Sequence, residues 1–316
     1  MNKFFSFYFI FLTLFSNAQS KSFYKNGKIE SEGYYVNKLK SGNWEYYHEN
    51  GKLAGIGTYF NGEPDGQWQF YDKIGKLFST CNYKNGKPEG EWKKFGENGK
   101  IEKIFNYKNG LLDGKYQSST YYEIKIGQYK NGLKEGTWKT FENGKELDAN
   151  IVEHTNYNSG NMDGERRLYS NTGAGKIQYL EYYKLGEKTG TWKSYYLENN
   201  QLYSMGTYLN GQKDGEFVDY FKDGKLMAKE FYKSSKKFGI EANYHENGLI
   251  ASLVNYKDGL ADGEAQYFSA TGKLESLNNW KLNKKHGEWK SYDQFGNLEK
   301  IEVYEMDKLI STKKFK

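Results

Sequence analysis

The feature that most limits this chain is a repeat. Gly42-Asn43-Trp44 sets a frame whose glycine recurs at Gly66, Gly90, Gly114, Gly136, Gly164, Gly190, Gly215, Gly239, Gly263 and Gly287. The intervals are 24, 24, 24, 22, 28, 26, 25, 24, 24 and 24 residues, which makes eleven copies. A period of this length belongs to arrays in which one small unit stacks on the next, because no single unit can bury its own apolar face. Extending glycine-x-aromatic to every copy predicts an unbroken ladder of rings.

Other positions keep step with the glycine. Seven residues before it stand Tyr35, Tyr59, Tyr83, Tyr107, Tyr129, Tyr157, Tyr183, Tyr208, Tyr232, Tyr256 and Trp280. Five residues after it an aromatic stands in ten of eleven copies, from Tyr47 to Tyr292, and only Ser119 breaks the row. Asn61-Gly62 and Asn85-Gly86 mark one turn of the repeat; Asn50-Gly51-Lys52, Asn98-Gly99-Lys100 and Asn143-Gly144-Lys145 mark the opposite one. Asn-Gly between aromatic stretches is a strong hairpin signal, since both residues tolerate positive φ. Pro64 and Pro88 fall inside such turns, where a missing N–H costs no ladder bond.

One repeat is therefore two strands of about six residues and two tight turns. Polar pairs such as Asn43/Glu45 and Gln67/Gln69 alternate with the Gly and Trp face. Leu53, Leu77, Ile101, Leu226, Ile250, Leu274 and Leu298 share parity with the tyrosine ending their strand. Each Trp is expected to cover the neighbouring frame glycine. The fold expected is all-β: an elongated, solenoid-like single sheet of stacked antiparallel hairpins, on the order of 100 Å long for 22 strands. Phe23 to Lys28 read as the second half of a repeat whose first half is lost. Tyr304 opens a twelfth copy that stops at Phe315, its exposed edge blunted by Lys313, Lys314 and Lys316.

Composition agrees. Hydrophobic residues make up only 37% and aromatics 18%, with 36 Gly and 2 Pro, which excludes a helical membrane bundle, a standard α/β enzyme and a disordered chain. The net charge of +6 is spread along the chain, and of 46 basic residues only Arg166 and Arg167 are arginine. Scattered lysine without arginine lacks the planar forks that grip nucleic acid, so no nucleic-acid partner is expected.

The N-terminus differs in kind. Lys3 precedes an apolar run from Phe4 to Phe15, followed by Ser16-Asn17-Ala18 with small residues at −3 and −1 of a cleavage after Ala18. Residues 1–19 read as a signal peptide and 20–316 as one repeat array, so the protein is expected to be exported to the periplasm, the outer membrane or the medium. The single Cys81 permits no intrachain disulfide and reads as a small buried filler.

The blocks Tyr59 to Tyr71 with Gly75-Lys76-Leu77, and Tyr83 to Phe95 with Asn98-Gly99-Lys100, resemble the MORN-repeat-variant family, the bacterial branch often labelled YwqK-type antitoxin. The resemblance spans residues 20–316. It implies stacked hairpins and roles in scaffolding, protein contact and membrane attachment rather than a reaction. The antitoxin label would imply a toxin partner, which fits an exported chain badly.

Chemistry is sparse. His48, His154, His245 and His286 are not paired at ligand spacing, so no metal or cofactor site is expected, and no nucleophile motif appears. Asp65, Glu89, Asp113, Glu135, Asp163, Asp214 and Asp262 each precede a frame glycine. They read as turn-closing carboxylates, with a calcium ladder as the competing use. The copies from Gly114 to Gly190 are irregular and hold both arginines and the insertion-like stretch 171–175, which reads as drift or as a bend or contact site; Arg166 and Arg167 are the binding candidates. The function expected is a non-catalytic exported scaffold for another envelope protein. The alternatives are an envelope glycan- or lipid-headgroup-binding module using a spare aromatic row, and an antitoxin-like partner of a toxin.

Overall fold

The computed structural model describes residues 18–142, 151–170 and 175–315. Residues 1–17, the turn 143–145 and residues 171–174 of the insertion-like stretch lie outside the described residues, so most of the expected leader does too. The described chain is all-β, with no helix among the described residues.

It divides into two units, residues up to 120 with 128–133, and residues 121–127 with 134–316. In the first, Ala18–Phe23, Ile29–Val36, Leu39–Tyr47 and Leu53–Phe60 pair antiparallel in chain order. Gly66–Tyr71, Leu77–Lys84, Gly90–Phe95, Ile101–Lys108 and Gly114–Ser119 continue the same way. In the second, the order runs from Ile151–Asn158 and Asn161–Tyr169 through Ile177–Lys184, Gly190–Tyr195, Leu202–Leu209 and Gln212–Tyr220. Leu226–Lys233, Gly239–Tyr244, Ile250–Lys257, Leu260–Phe268, Leu274–Lys281, Gly287–Tyr292, Leu298–Glu305 and Lys308–Lys314 complete it. Within each unit these strands pair with their neighbours in sequence, so each unit is a sheet of hairpins as the period predicted.

Both turns follow from their residues. The two-residue turns hold both positions at positive φ, as in Asn61 at 48° and Gly62 at 84°, which is the twist-matched hairpin turn that Asn-Gly favours. The opposite turns close with Gly51 N–H donating to His48 O at 2.7 Å, while the Asn50 side chain accepts from Lys52 N–H at 3.0 Å. The frame glycines are all at positive φ too, for example Gly42 at 68° and Gly66 at 86°.

Three expectations change. The first half of the first repeat is not lost: Ala18–Phe23 forms a strand antiparallel to Ile29–Val36. A register shift at Tyr46/Tyr47 places Leu53 opposite Tyr47, and the same shift pairs Leu77 with Tyr71, so the aliphatic row partners the ring five after the glycine. Lastly, the tryptophans do not cover frame glycines. Three of them cover a different glycine, eleven residues before the Trp in the preceding strand: a Cβ added at Gly33, Gly57 or Gly127 would run into the ring of Trp44, Trp68 or Trp138. Trp92, Trp192 and Trp289 have Cys81, Glu181 and Asn278 at that place. The frame glycine serves backbone conformation, and the strand glycine serves the ring.

Candidate functional site

The ladder is built from the ring two after the frame glycine, the tyrosines that flank it and, in five copies, a lysine. The Trp two after the frame glycine lies against the tyrosine of the strand before and the tyrosine of the strand after. Trp44 stands 5.1 Å from Tyr35 and 6.0 Å from Tyr59, both edge-to-face, and Trp68 repeats this with Tyr59 at 5.3 Å and Tyr83 at 6.1 Å. The indole N–H is spent on backbone from Trp44 to Tyr34 O and Trp68 to Thr58 O, each 3.2 Å, and on Ser79 Oγ from Trp92 at 2.6 Å. Such ring pairs add about 0.5–1.5 kcal/mol each beyond area burial.

The third member escaped the sequence reading. A lysine two before the frame glycine lays its ammonium over the rings: Lys40 is 4.3 Å from the Trp44 centroid and 5.1 Å from Tyr59. Lys134, Lys188, Lys213 and Lys285 do the same in their own copies. The cation–π position that a quaternary amine would need is thus filled by the protein itself. Their spacing from the glycine was the available signal, hidden among 44 lysines (46 basic residues less two arginines).

The ladder is also less regular than expected. In three copies the ring is replaced, by Arg166, Glu241 and Ala265. The residue eleven positions earlier is Thr155, Glu230 or Val254 in these copies, so side chain meets side chain where Trp44, Trp68, Trp138 and Phe217 lie over glycine. Arg166 donates from Nε to Glu153 and from Nη1 to Glu181, both at 3.0 Å. Burial opposes its charge, yet the two carboxylates outweigh that and raise its pKa. Lys237 sits likewise between Glu230, at 2.7 Å, and Glu241. Burial again opposes charge there, and Lys237 still holds the Glu230 carboxyl below its usual range.

The two binding candidates are not brought together. Arg166 lies in the ladder, while Arg167, one residue on, points to the opposite face and pairs with Glu165 at 2.6 Å. There it adjoins His154, whose pKa is lowered by burial and then by the Arg167 charge. The carboxylates before the frame glycines also have work, but not the local one expected. Glu89, Asp113, Glu135, Asp163, Asp214 and Asp262 each accept the backbone N–H of the following copy's turn, at 2.7–3.3 Å. On the other edge His48 and His245 bond to Tyr71 O and Phe268 O of the next turn, joined by Asn50 and Asn247. Cys81 is buried, and burial pushes its thiol up to about 11. No group of three or more metal-ligating side chains occurs among the described residues.

On the face opposite the rings, one copy departs from the rest. Nine of the other ten copies carry a carboxylate or hydroxyl before the frame glycine, the tenth has His286, and all ten carry a polar residue after it; this copy has Phe238 and Ile240. They are 43% and 48% exposed, and Phe231 adjoins Phe238 with ring centroids 6.2 Å apart.

The model of the MORN repeat variant matches seven stretches of the chain, residues 17–37, 40–61, 64–85, 88–109, 213–234, 261–282 and 285–306. The chain is a MORN-variant repeat protein. The unmatched copies include the three from Gly114 to Gly164 whose spacing is irregular, and the one that holds Phe238. No curated protein matches it. Among solved structures, one titled "Crystal Structure of TcdB2-TccC3-Cdc42" aligns at 11% identity with a TM-score of 0.15. It covers 89% of this chain and 23% of that one, and so weak a likeness carries no argument.

Proposed function

We propose that this MORN-variant repeat protein is an exported, non-catalytic scaffold that holds another envelope protein. The observation that carries the reading is the apolar patch of Phe231, Phe238 and Ile240, on a face where the other copies are largely polar. Exposed apolar side chains grouped on an otherwise polar surface mark contact sites, and buried aromatics dominate the energy of such contacts. Arg167 lies on the same face and is the arginine of the two left within reach of a partner. The family is generally non-catalytic, which agrees with a role in binding. Export rests on the charged, apolar and small-residue sequence of the first 18 residues.

The test is capture from envelope extract by the wild-type protein and by Phe238→Asp/Ile240→Thr, which restores the residue types of other copies. A stoichiometric protein should be held at high salt by the wild type and lost by the variant. Equal capture by both would remove the patch from the reading, and capture of nothing by the wild type would remove the scaffold.

A further inference from the structure

Between Gly190–Tyr195 and Gln212–Tyr220 the ring ladder opens into a cleft of about 230 Å³. Glu181, Trp192, Ser194, Ser204, Tyr208 and Phe217 line it. Its cause is local. Four residues after the frame glycine, unit 1 carries rings in two copies, Tyr46 and Phe70, which pack beside Trp44 and Trp68. Here that position is Ser194, placed opposite Ser204, while Gly206 beside them lies under the Phe217 ring. Two hydroxyls thus stand where those copies have a ring, while aromatic walls remain on either side.

We propose that this cleft is a subsite for a neutral pyranose, one residue of an uncharged glycan. Size comes first: the volume lies below the about 300–1,000 Å³ of ordinary small-molecule pockets, so it takes a single ring-sized group. Charge then narrows the ligand. A cation is disfavoured because Lys188 already stands 4.3 Å from the Trp192 centroid and 5.1 Å from Tyr208, and Lys213 stands 4.5 Å from Phe217. An anion is disfavoured by the Glu181 carboxylate on the lining. That carboxylate is held rigidly, since Arg166 Nη1 and the Tyr183 hydroxyl both donate to its Oε2, at 3.0 and 3.1 Å. Its Oε1 remains to accept from a ligand hydroxyl. Trp192 spends its indole N–H on Tyr182 O at 3.0 Å, leaving ring surface as its contribution. Aromatic surface, a fixed carboxylate and two serine hydroxyls in a small space suit the alternating C–H faces and hydroxyl rims of a sugar. The cleft lies on the ring face, opposite the apolar patch, and does not depend on the protein partner proposed above.

The experiment is saturation-transfer NMR on the purified protein. The probes are the methyl β-glycosides of glucose, galactose, mannose and N-acetylglucosamine at about 10 mM, a concentration matched to single-ring affinities on the order of 1 mM. Choline and inositol hexakisphosphate serve as charged probes. At least one glycoside should receive saturation, unchanged in about 0.5 M NaCl because no charge is involved. Ser194→Tyr, which supplies the ring found at Tyr46, should abolish the transfer. Ser194→Leu, which copies Leu168 at the equivalent place, provides a second occluding variant should the first fail to fold. Transfer to none of the four glycosides overturns the proposal. So does transfer that survives both folded variants, or displacement of the sugar by choline.

Discussion

A methyl group added at Gly57 has nowhere to go, because the Trp68 ring already covers that Cα. Gly57→Ala is expected to destabilise by about 1–3 kcal/mol, the range for overpacking, as read from denaturant unfolding. Shrinking the ring should relieve the clash: Gly57→Val combined with Trp68→Ala copies the Val254 and Ala265 pair. The double variant should cost less than the sum of the two single changes in a mutant cycle, and strict additivity would sink the idea that the two positions share one space. The phenols of the ladder set the response to alkali. Burial, the largest cause in each, raises Tyr59 to about 12 and lifts Tyr83, Tyr107, Tyr208 and Tyr256 above the usual phenol value. A raised folded pKa means stability that is whole below pH ~10 and is lost as pH climbs through the folded values. The melting temperature should hold to about pH 10 and then fall as tyrosinate absorbance appears; a flat melting temperature through pH 12 would contradict it. What the sequence could not show at this scale is which glycine each ring covers. The frame glycine is two residues from Trp and the covered one is eleven residues away in another strand, so proximity in sequence pointed to the wrong one.

The hairpin was almost wholly legible, since Asn-Gly turns, the period and alternating polarity all specify the same element. Its capping was not. The carboxylate before the frame glycine reads as a local turn bond, whereas Asp262 accepts Leu282 N–H from the following turn, 20 residues away. Asp262→Ala should therefore lower stability by about 1 kcal/mol. Added calcium should leave the wild-type melting temperature unchanged, and a calcium-dependent rise would restore the ladder of ions. Turn chemistry offers the opposite sign. Leu185 and Leu282 sit at φ 50° and 53°, in places held by asparagine in several other copies. Left-handed conformation costs an ordinary side chain about 1–2 kcal/mol and asparagine less, so Leu185→Asn or Leu282→Asn should raise the melting temperature. The adjacent arginines illustrate a limit of reading by composition. They stood out as the only two of their kind, yet alternation along a strand sends them to opposite faces, where each meets its own carboxylates.

Across the molecule, stability in a repeat array is a sum over copies and their shared boundaries rather than a property of one core. Copies in which a packed ring has given way to buried charge should open more readily, because desolvating ions offsets most of their attraction. Within the second unit, native-state hydrogen exchange is expected to be faster in Asn161–Tyr169 and Gly239–Tyr244 than in Gly190–Tyr195, which keeps Trp192. Equal protection in the three strands would refute this ranking. The same three exceptions bear on how the chain finds its own alignment. Eleven similar copies invite a strand to join the array one repeat out of place, since a slip of 24 residues restores nearly every ordinary contact. At Thr155 with Arg166, Glu230 with Glu241 and Val254 with Ala265, such a slip would press a large ring onto Val254 or strand Arg166 away from Glu181. These pairs act as addresses in an otherwise degenerate text. A chain with all three rewritten as glycine and tryptophan would be more uniform, and a larger share of it should refold as shifted arrays.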